Sequence, residues 1–252
     1  MSKLSGIVIA KNAENLINNC LKSLSFCDEI IVVDGGSKDR TVEIAKKMNA
    51  KVFEFKTEDY SEIRNYGREK ANFDWILYVD VDERVTDSLR ENIKYSCEAG
   101  SRFAGQISAF KLKRKNFYLG KYEWPYIEKI ERLFKKDKLR GWIGKLHESP
   151  IVDGKAETLD GFLLHYTHRD LTSMLDKTIE WSKVEAETRF QMNHPKMTWW
   201  RFPRVMATAF LDSYFRQGGY KIGVAGLIES VYQAFSIFVT YARLWELQQK
   251  KK

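Results

Sequence analysis

The stretch Trp75-Ile-Leu-Tyr-Val-Asp80-Val-Asp82-Glu83-Arg84 carries an apolar run to two aspartates that are one residue apart. Residues 75–79 predict a buried strand, and both aspartates come where that strand leaves its sheet. Because side chains two apart on a strand share one face, the two carboxylates could bind one hard cation such as Mg²⁺ or Mn²⁺. A strand followed by a polar turn, with a helix N-cap at Thr86, explains the same residues. The rest of the chain has to decide between the two interpretations.

Apolar runs and helical patterns alternate before this stretch. Strands are predicted at 6–10, 29–33, 51–55 and 75–79, with helical spacing of apolar residues between them. This β-α-β-α-β-α-β order is typical of a doubly wound, mainly parallel sheet, which binds ligands at the carboxyl ends of its strands. Asn12, Asp34, Asp80 and Asp82 all follow strand ends, so we expect them to gather at one edge of the sheet.

The pattern changes after a helix predicted at 86–99. Residues 105–168 read as a mixed, partly antiparallel segment, and helices are predicted at about 171–193, 198–217 and 222–248. The fold class is therefore α/β with a helical C-terminal tail. We expect three parts, at 1–100, 101–170 and 171–252, of which the last is a helical extension.

Charge is unevenly distributed along the 252 residues, whose formal net charge is +8. From His194 onward there are nine Lys or Arg against three Asp or Glu, and residues 111–140 are also strongly basic. Basic zones of this kind favour a phosphate-rich substrate, a membrane surface or a nucleic acid as partner. Three cysteines without a CxxC pair, no signal peptide and no run of about 18 apolar residues predict a cytoplasmic protein without a simple transmembrane helix.

The turn after the first strand, Ala10-Lys11-Asn12-Ala13-Glu14, is not a glycine-rich phosphate loop. Neither a GxGxxG turn nor a Walker A motif is present. A diphosphate would then be held through a metal by the paired aspartates. Asp34 would accept hydrogen bonds from a base or ribose, unless it only forms an Asx turn before Gly35-Gly36.

Four motifs in this order resemble those of the family 2 glycosyltransferases with the GT-A fold, and in particular the lipopolysaccharide-core β-glucosyltransferases. They are Ile7-Val-Ile-Ala-Lys-Asn12-Ala-Glu14, Ile30-Ile-Val-Val-Asp34-Gly-Gly-Ser37-Lys-Asp39-Arg-Thr41, Arg64-Asn65 and the Trp75 stretch. The resemblance covers residues 5–100 most closely. Later it rests on Gly144-Lys-Leu-His147-Glu148, on Leu164-His165-Tyr166 and on the helical tail. Lys38 and Arg40 are bulkier than the family pattern, which leaves the sugar open.

The resemblance implies a nucleotide-sugar-binding half at 1–100, an acceptor-binding half at 101–170 and a helical extension at 171–252. It also implies a role for each matched residue. Asn12 and Glu14 would line the nucleotide pocket, Asp34 would contact uracil, and Arg64 would contact the nucleotide. Asp80 would lie near the ribose and the metal, Asp82 would bind the metal, and His147 is a possible third ligand. A UDP-sugar donor and Mg²⁺ or Mn²⁺ follow from this pattern.

Glycosyl transfer also needs a base for the acceptor hydroxyl, and Glu148 is our candidate. If this base activates the acceptor on the face of the anomeric carbon opposite the leaving diphosphate, transfer inverts the configuration of that carbon. The alternative is that Glu148 only pairs with Lys145 or another surface cation.

Aromatic residues are interleaved with the basic residues of 111–140, which suits sugar rings and phosphates. We expect Trp124, Tyr126 and Lys145 to contact a phosphorylated saccharide or lipid-linked acceptor. The paired aspartates favour this over single-stranded nucleic acid.

The tail from Trp199 onward combines aromatic and basic residues. This composition predicts a helix lying on the cytoplasmic face of the inner membrane, whereas Glu229 and Gln233 argue against a spanning helix. The alternative is a helical pair that packs on the catalytic domain or forms a dimer.

The first function hypothesis is thus a metal-dependent inverting hexosyltransferase, with glucose as the expected sugar and lipopolysaccharide core or another lipid-linked glycan as acceptor. Three alternatives remain: a peptide or protein glycosyltransferase of the same fold, a sugar nucleotidyltransferase, and a non-catalytic sugar- or membrane-binding protein. The oligomeric state stays open.

Overall fold

The first half of the chain alternates strands and helices in the predicted order. The computed structural model describes residues 2–99, 107–145 and 148–250. Up to the first aspartate of the pair, the elements are β1 Leu4–Ala10, α1 Glu14–Ser23, β2 Glu29–Asp34, α2 Thr41–Lys47, β3 Lys51–Glu54, α3 Tyr60–Lys70 and β4 Trp75–Asp80.

The second half consists of longer strands followed by helices. The short strand at Glu83–Val85 and the two strands at Leu139–Ile143 and Ser149–Val152 are elements that the sequence patterns did not predict. The elements are β5 Glu83–Val85, α4 Asp87–Ala99, β6 Ile107–Tyr118, β7 Tyr122–Lys135, β8 Leu139–Ile143, β9 Ser149–Val152, β10 Lys155–Tyr166, α5 Leu171–Gln191, α6 Arg201–Leu211 and α7 Gly223–Lys250. A π-helical turn at Asp212–Arg216 and a 3₁₀ turn at Gly219–Ile222 connect α6 to α7.

One sheet of eight strands runs in the order β3-β2-β1-β4-β7-β6-β10-β5, and β8 and β9 form a separate antiparallel pair. The strands β3, β2, β1 and β4 are parallel to one another, whereas β7 is antiparallel to β4 and β5 is antiparallel to β10. The predicted mainly parallel sheet with an antiparallel segment is therefore confirmed. Because β1, β2 and β4 run the same way, their carboxyl ends lie at one edge.

Strand alternation places the core on both faces of this sheet. On β4, Trp75, Leu77 and Val79 pack with α1 and α4 residues in one cluster, while Ile76 and Tyr78 pack in the other with Ile63 of α3. Side chains two apart share a face, so Asp80 leaves the strand on the side of Tyr78 and α3.

Two compact units divide the chain. The first comprises Met1–Lys115 and Glu128–His165, and the second comprises Asn116–Ile127 and Tyr166–Lys252. Within the first, α3 begins at a side-chain cap, because Asp59 accepts hydrogen bonds from the backbone N–H groups of Ser61 and Glu62. The predicted boundary between a donor half and an acceptor half at residue 100 stays a prediction.

The second unit has little apolar core of its own. A small cluster of Ala186, Met197 and Leu244 joins its helices. Among the described residues, one helical segment, Gly219–Lys250, is long and apolar enough to cross a membrane by length and composition. The search for an uninterrupted apolar run did not identify this segment.

Candidate active site

Asp80 lies at the carboxyl end of β4 with an arginine on each oxygen. Its Oδ1 is 3.0 Å from Nη2 of Arg64 on α3, and its Oδ2 is 2.7 Å from Nη2 of Arg132 on β7. Burial alone would raise the pKa of the Asp80 carboxyl, but the Arg132 and Arg64 guanidiniums hold this pKa well below its ordinary value. Asp80 is therefore ionised throughout the physiological pH range.

Arg64 also contacts Glu148, the candidate base. Its Nε and Nη2 are both 2.7 Å from Glu148 Oε1, and its guanidinium packs 4.9 Å from the centre of the Trp142 ring. Burial opposes the charge on Arg64, but Asp80 and Glu148 raise its pKa above the ordinary value. The structure thus pairs Glu148 with a buried arginine, not with Lys145, and joins it to Asp80 through one guanidinium.

The charged side chains continue beyond Asp80. Arg132 is 3.6 Å from Oε1 of Glu83, Arg114 donates to the same oxygen at 2.9 Å, and Nε of Arg114 donates to Glu128 at 2.8 Å. A row of alternating sign results, which we call the ionic row: Glu148, Arg64, Asp80, Arg132, Glu83, Arg114 and Glu128. Arg114, Arg132 and Glu83 were missed as site residues, because their sequence positions indicate only a basic segment and a polar turn.

Glu83 closes the turn that carries the aspartate pair. It is fully buried, and its Oε2 accepts the backbone N–H of Asp80 at 2.9 Å. Two donors in the row, Nη1 of Arg64 and Nε of Arg132, are buried without an acceptor among the described residues. An unpaired buried donor costs about 1–3 kcal/mol, and a catalytic or binding role is one explanation for retaining such a group.

Asp82 has a different environment from Asp80. β4 ends at Asp80, so Asp82 lies in the following turn and strand alternation does not orient it. Its Oδ2 is 3.3 Å from Nε2 of His165 on β10. Across residues 2–99, 107–145 and 148–250, no three His, Cys, Asp or Glu side chains are grouped to hold a metal ion. His147 lies outside the described residues.

Two loops at the same edge are joined by hydrogen bonds. Asp34 accepts the N–H groups of Gly36 and Ser37 at 3.0 and 2.9 Å, so the Asx turn is present. Asn12 accepts the N–H of Lys38 at 2.8 Å. In the same way Glu14 accepts from Arg40 at 3.2 and 3.3 Å, which directs the bulky Arg40 toward Glu14.

A family model described as Glycosyl transferase family 2 matches residues 5–147, more than half of the chain. The chain belongs to glycosyl transferase family 2. The family predicted from the four motifs is thereby confirmed, and with it the prediction that the protein is a transferase. The match ends one residue before Glu148.

Similar proteins carry related names. An uncharacterized glycosyltransferase of Rickettsia typhi is 27% identical, over 100% of this chain and 90% of that protein. The lipopolysaccharide core biosynthesis glycosyltransferase LpsC of Rhizobium meliloti is 25% identical, over 96% of this chain and 92% of LpsC. The crystallised mannosyltransferase PcManGT of Pyrobaculum calidifontis, in complex with GDP-Man and Mn²⁺, has a TM-score of 0.56 at 13% identity, over 97% and 88% of the two chains. This last likeness supports the GT-A fold.

The predicted acceptor residues of the glycosyltransferase differ in accessibility. Trp124 is only 2% exposed, and its indole N–H donates to Gln217 at 3.0 Å. An acceptor could stack on this ring only if these packing contacts separated, which argues for a structural role. Tyr126 and Lys145 are exposed, and the Lys145 carbonyl accepts the N–H of Tyr60 at the start of α3.

Proposed function

We propose that this glycosyltransferase transfers a hexose, with glucose as the first candidate, from a UDP-sugar to a hydroxyl of a saccharide acceptor, with inversion at the anomeric carbon. The observation that carries the proposal is the Arg64 guanidinium, which joins Asp80 to Glu148. The pair lies at the carboxyl edge of the parallel strands, where sheets of this kind bind ligands. Asp80 of the donor motif and Glu148, the candidate base, thus share the buried guanidinium of Arg64.

Glu148 is the proposed base for the acceptor hydroxyl. Among the described residues, Arg64 contacts it through Oε1, and we assign the acceptor proton to Oε2. Arg64 in turn is fixed by its contact with Asp80 and by its position over Trp142. Positioning a carboxylate in this way is the main requirement for proton transfer, since a base acts only within hydrogen-bond reach.

The donor nucleotide is assigned to the loops after β1 and β2. Asn12, Glu14 and Asp34 lie there, and their carbonyl and carboxylate oxygens can accept hydrogen bonds from a base or ribose. Arg64 is buried against two carboxylates, so in this arrangement it acts on a donor through Asp80 and Glu148. A direct contact between Arg64 and the nucleotide would require these ion pairs to open.

Asp82 is the proposed ligand of a divalent cation at this edge. Its carboxylate is partly exposed beside the His165 imidazole, whereas both oxygens of Asp80 are engaged by arginines. Carboxylate oxygen suits Mg²⁺ and Mn²⁺, so we assign the ion to Asp82, with His165 and Asp80 at its side. When bound, the ion neutralises the leaving diphosphate.

Lipopolysaccharide core, or another lipid-linked glycan, is the proposed acceptor. The name of the Rhizobium meliloti relative supports it, as does the strongly basic composition of residues 111–140. Such an acceptor is anchored in a membrane, so we place the enzyme on the cytoplasmic membrane face as a peripheral protein. Transfer to a peptide by the same fold is the competing outcome.

A panel of UDP-, GDP- and dTDP-sugars tests the proposal. The full chain is incubated with each donor, with Mn²⁺ or Mg²⁺, and with either core saccharide fragments or peptides. We expect turnover of UDP-glucose that requires the metal and gives a β-linked saccharide. A preference for a GDP- or dTDP-sugar would overturn the donor assignment, and transfer to peptides alone would overturn the acceptor assignment.

A further inference from the structure

The longest helix of the second unit, α7, has its polarity reversed. Its buried residues are mostly small or polar, whereas its exposed residues are large and apolar. We define the outer face of α7 by its exposed apolar side chains: Val224, Leu227, Ile228, Val231, Phe235 and Phe238. These positions recur three or four residues apart and so form one continuous stripe. A helix of a water-soluble protein has the opposite arrangement.

The inward side of α7 is satisfied by hydrogen bonds within the second unit. Glu229 is only 1% exposed, lies 3.0 Å from Nδ1 of His168 and accepts from Gln233 at 2.6 Å. The Tyr232 hydroxyl lies 2.6 Å from the Thr178 hydroxyl on α5. Because these polar groups already have partners, α7 cannot rotate to bury its apolar face without leaving them unpaired, at a cost for each group.

We propose that the outer face of α7 inserts into the acyl region of an anionic membrane leaflet, with the helix axis in the membrane plane. This rests on the membrane association proposed above and specifies the surface that makes it. Burying six large apolar side chains in lipid removes them from water, which is the main contribution to binding by interfacial helices.

Charge and aromatic residues beside the helix favour lipid as the occupant. Trp199 is 83% exposed, and Arg201 and Arg204 lie 5.8 and 5.7 Å from the centre of the Trp200 ring. Lys221 comes just before α7 and is exposed. Phe202, next to Arg201, has its ring centre 5.8 Å from that of Phe238 on the outer face. Exposed tryptophans prefer the membrane interface, and cations near a membrane surface attract anionic headgroups.

The same charges disfavour a second copy of the chain. A second copy would bring the same net positive charge to the interface, because residues 194–252 carry nine Lys or Arg and three Asp or Glu, and like charges across an interface are unfavourable. A spanning orientation is also disfavoured, because α7 packs along α5. That helix carries charged residues through its length, among them Asp176, Lys183 and Glu187, which do not belong in a bilayer core.

Vesicle flotation tests the proposal with the full chain. Vesicles contain phosphatidylglycerol and phosphatidylethanolamine in equal amounts. The outer face is changed in the triple variant Leu227→Gln/Val231→Gln/Phe235→Gln. The control variant Tyr95→Gln/Ile143→Gln/Ile151→Gln changes three exposed apolar residues of the first unit. We expect the outer-face variant to float roughly tenfold less than the wild type, and the control to float like the wild type.

Salt distinguishes insertion from surface attraction. At about 1 M NaCl the Debye length is about 3 Å, so inserted protein should stay bound. Release of the wild type by salt, or undiminished flotation of the outer-face variant, would overturn the proposal. So would a wild type that is dimeric without vesicles and an outer-face variant that is monomeric. UDP-sugar hydrolysis is measured in parallel. Absence of hydrolysis by the wild type would count against the proposed function. A wild type that hydrolyses UDP-sugar but does not float would count only against the role of the outer face.

Discussion

The two units of this glycosyltransferase bury polar side chains in different ways. At the carboxyl edge of the first unit, charged groups are buried in the ionic row, where every acid contacts an arginine. In the second unit the buried polar groups along α7 are mainly neutral hydroxyls and an amide, with one His168–Glu229 pair. The difference teaches that the row concentrates charge at the edge where we propose that the donor diphosphate leaves. In contrast, α7 turns its polarity inward, so that an apolar surface remains outside.

Removing the candidate base tests the first half of this comparison most strongly. Glu148→Gln should lower sugar transfer by roughly 10²–10⁴-fold, the usual contribution of general base catalysis, and should leave UDP affinity unchanged. Transfer is measured with saturating donor, and UDP binding by calorimetry. Glu157→Gln, a change to an exposed acid on β10, is the control and should transfer at the wild-type rate. A wild-type rate in Glu148→Gln would remove Glu148 as the base.

Removing the central arginine should destabilise the first unit. In Arg64→Met, the carboxylates of Asp80 and Glu148 lose their shared buried partner, so we expect the free energy of unfolding to fall by about 3–5 kcal/mol. Urea denaturation measures this difference. Arg90→Met, which removes a surface ion pair with Asp87, should cost less than about 1 kcal/mol. Equal costs for the two variants would mean that the row is no more than a set of surface pairs.

The metal assignment distinguishes Asp82 from Asp80. Asp82→Asn keeps the size of the side chain and removes its charge, so we expect Mn²⁺-dependent UDP binding to weaken by roughly a hundredfold. Calorimetry with and without EDTA measures the effect, and Asp74→Asn, which lies before β4, serves as the control. Unchanged UDP binding in the presence of Mn²⁺ would overturn the role of Asp82.

Acidification should reveal the contribution of another buried carboxylate, Glu29, which lies at the opposite end of β2 from Asp34. Burial alone would raise the pKa of Glu29, but bonds from Lys51, Ser5 and Asn72 lower this pKa to about 2 from 4.5. Its contribution to stability is therefore present above the unfolded pKa and is lost as the pH falls toward 2. We expect wild-type stability to fall by up to about 2 kcal/mol more than that of Glu29→Gln between these limits. Parallel pH profiles for both proteins would contradict this.

The smallest expected effects separate the two sides of α7. Tyr232→Phe removes the hydrogen bonds of the Tyr232 hydroxyl with Thr178 and with the Met174 carbonyl, and it should lower the free energy of unfolding by about 1–2 kcal/mol. Val231→Gln, on the exposed side, should change it by no more than about 0.5 kcal/mol. Denaturation in the absence of lipid measures both. A larger loss for Val231→Gln than for Tyr232→Phe would show that the exposed side is packed in solution.

Local sequence patterns predicted most of the first half of the chain, which forms the parallel strands β1 to β4. Apolar runs of the kind seen at 29–33 and 75–79 identify buried strands, and the helix at 60–70 begins at a capping aspartate. The long strands β6 and β7 were only partly recognised, and in β7 Pro125 is atypical of a strand interior. Trp124 illustrates the difficulty: the sequence presents it as a surface aromatic among lysines, whereas packing against the second unit's own residues buries it.

Sequence alone determined the family, the α/β order and the presence of acidic residues after β2 and β4, because short motifs and hydrophobic periodicity are local properties. Tertiary structure decided which charges pair. Arg64, Arg132 and Glu148 are far apart in sequence. They gather around Asp80 because α3, the antiparallel strand β7 and the segment before β9 all reach the carboxyl end of β4. Tertiary structure also decided which face of α7 is buried and which is exposed. Composition shows an apolar helix with a glutamate, but only its contacts with His168 and α5 show that the glutamate faces inward and the apolar stripe outward.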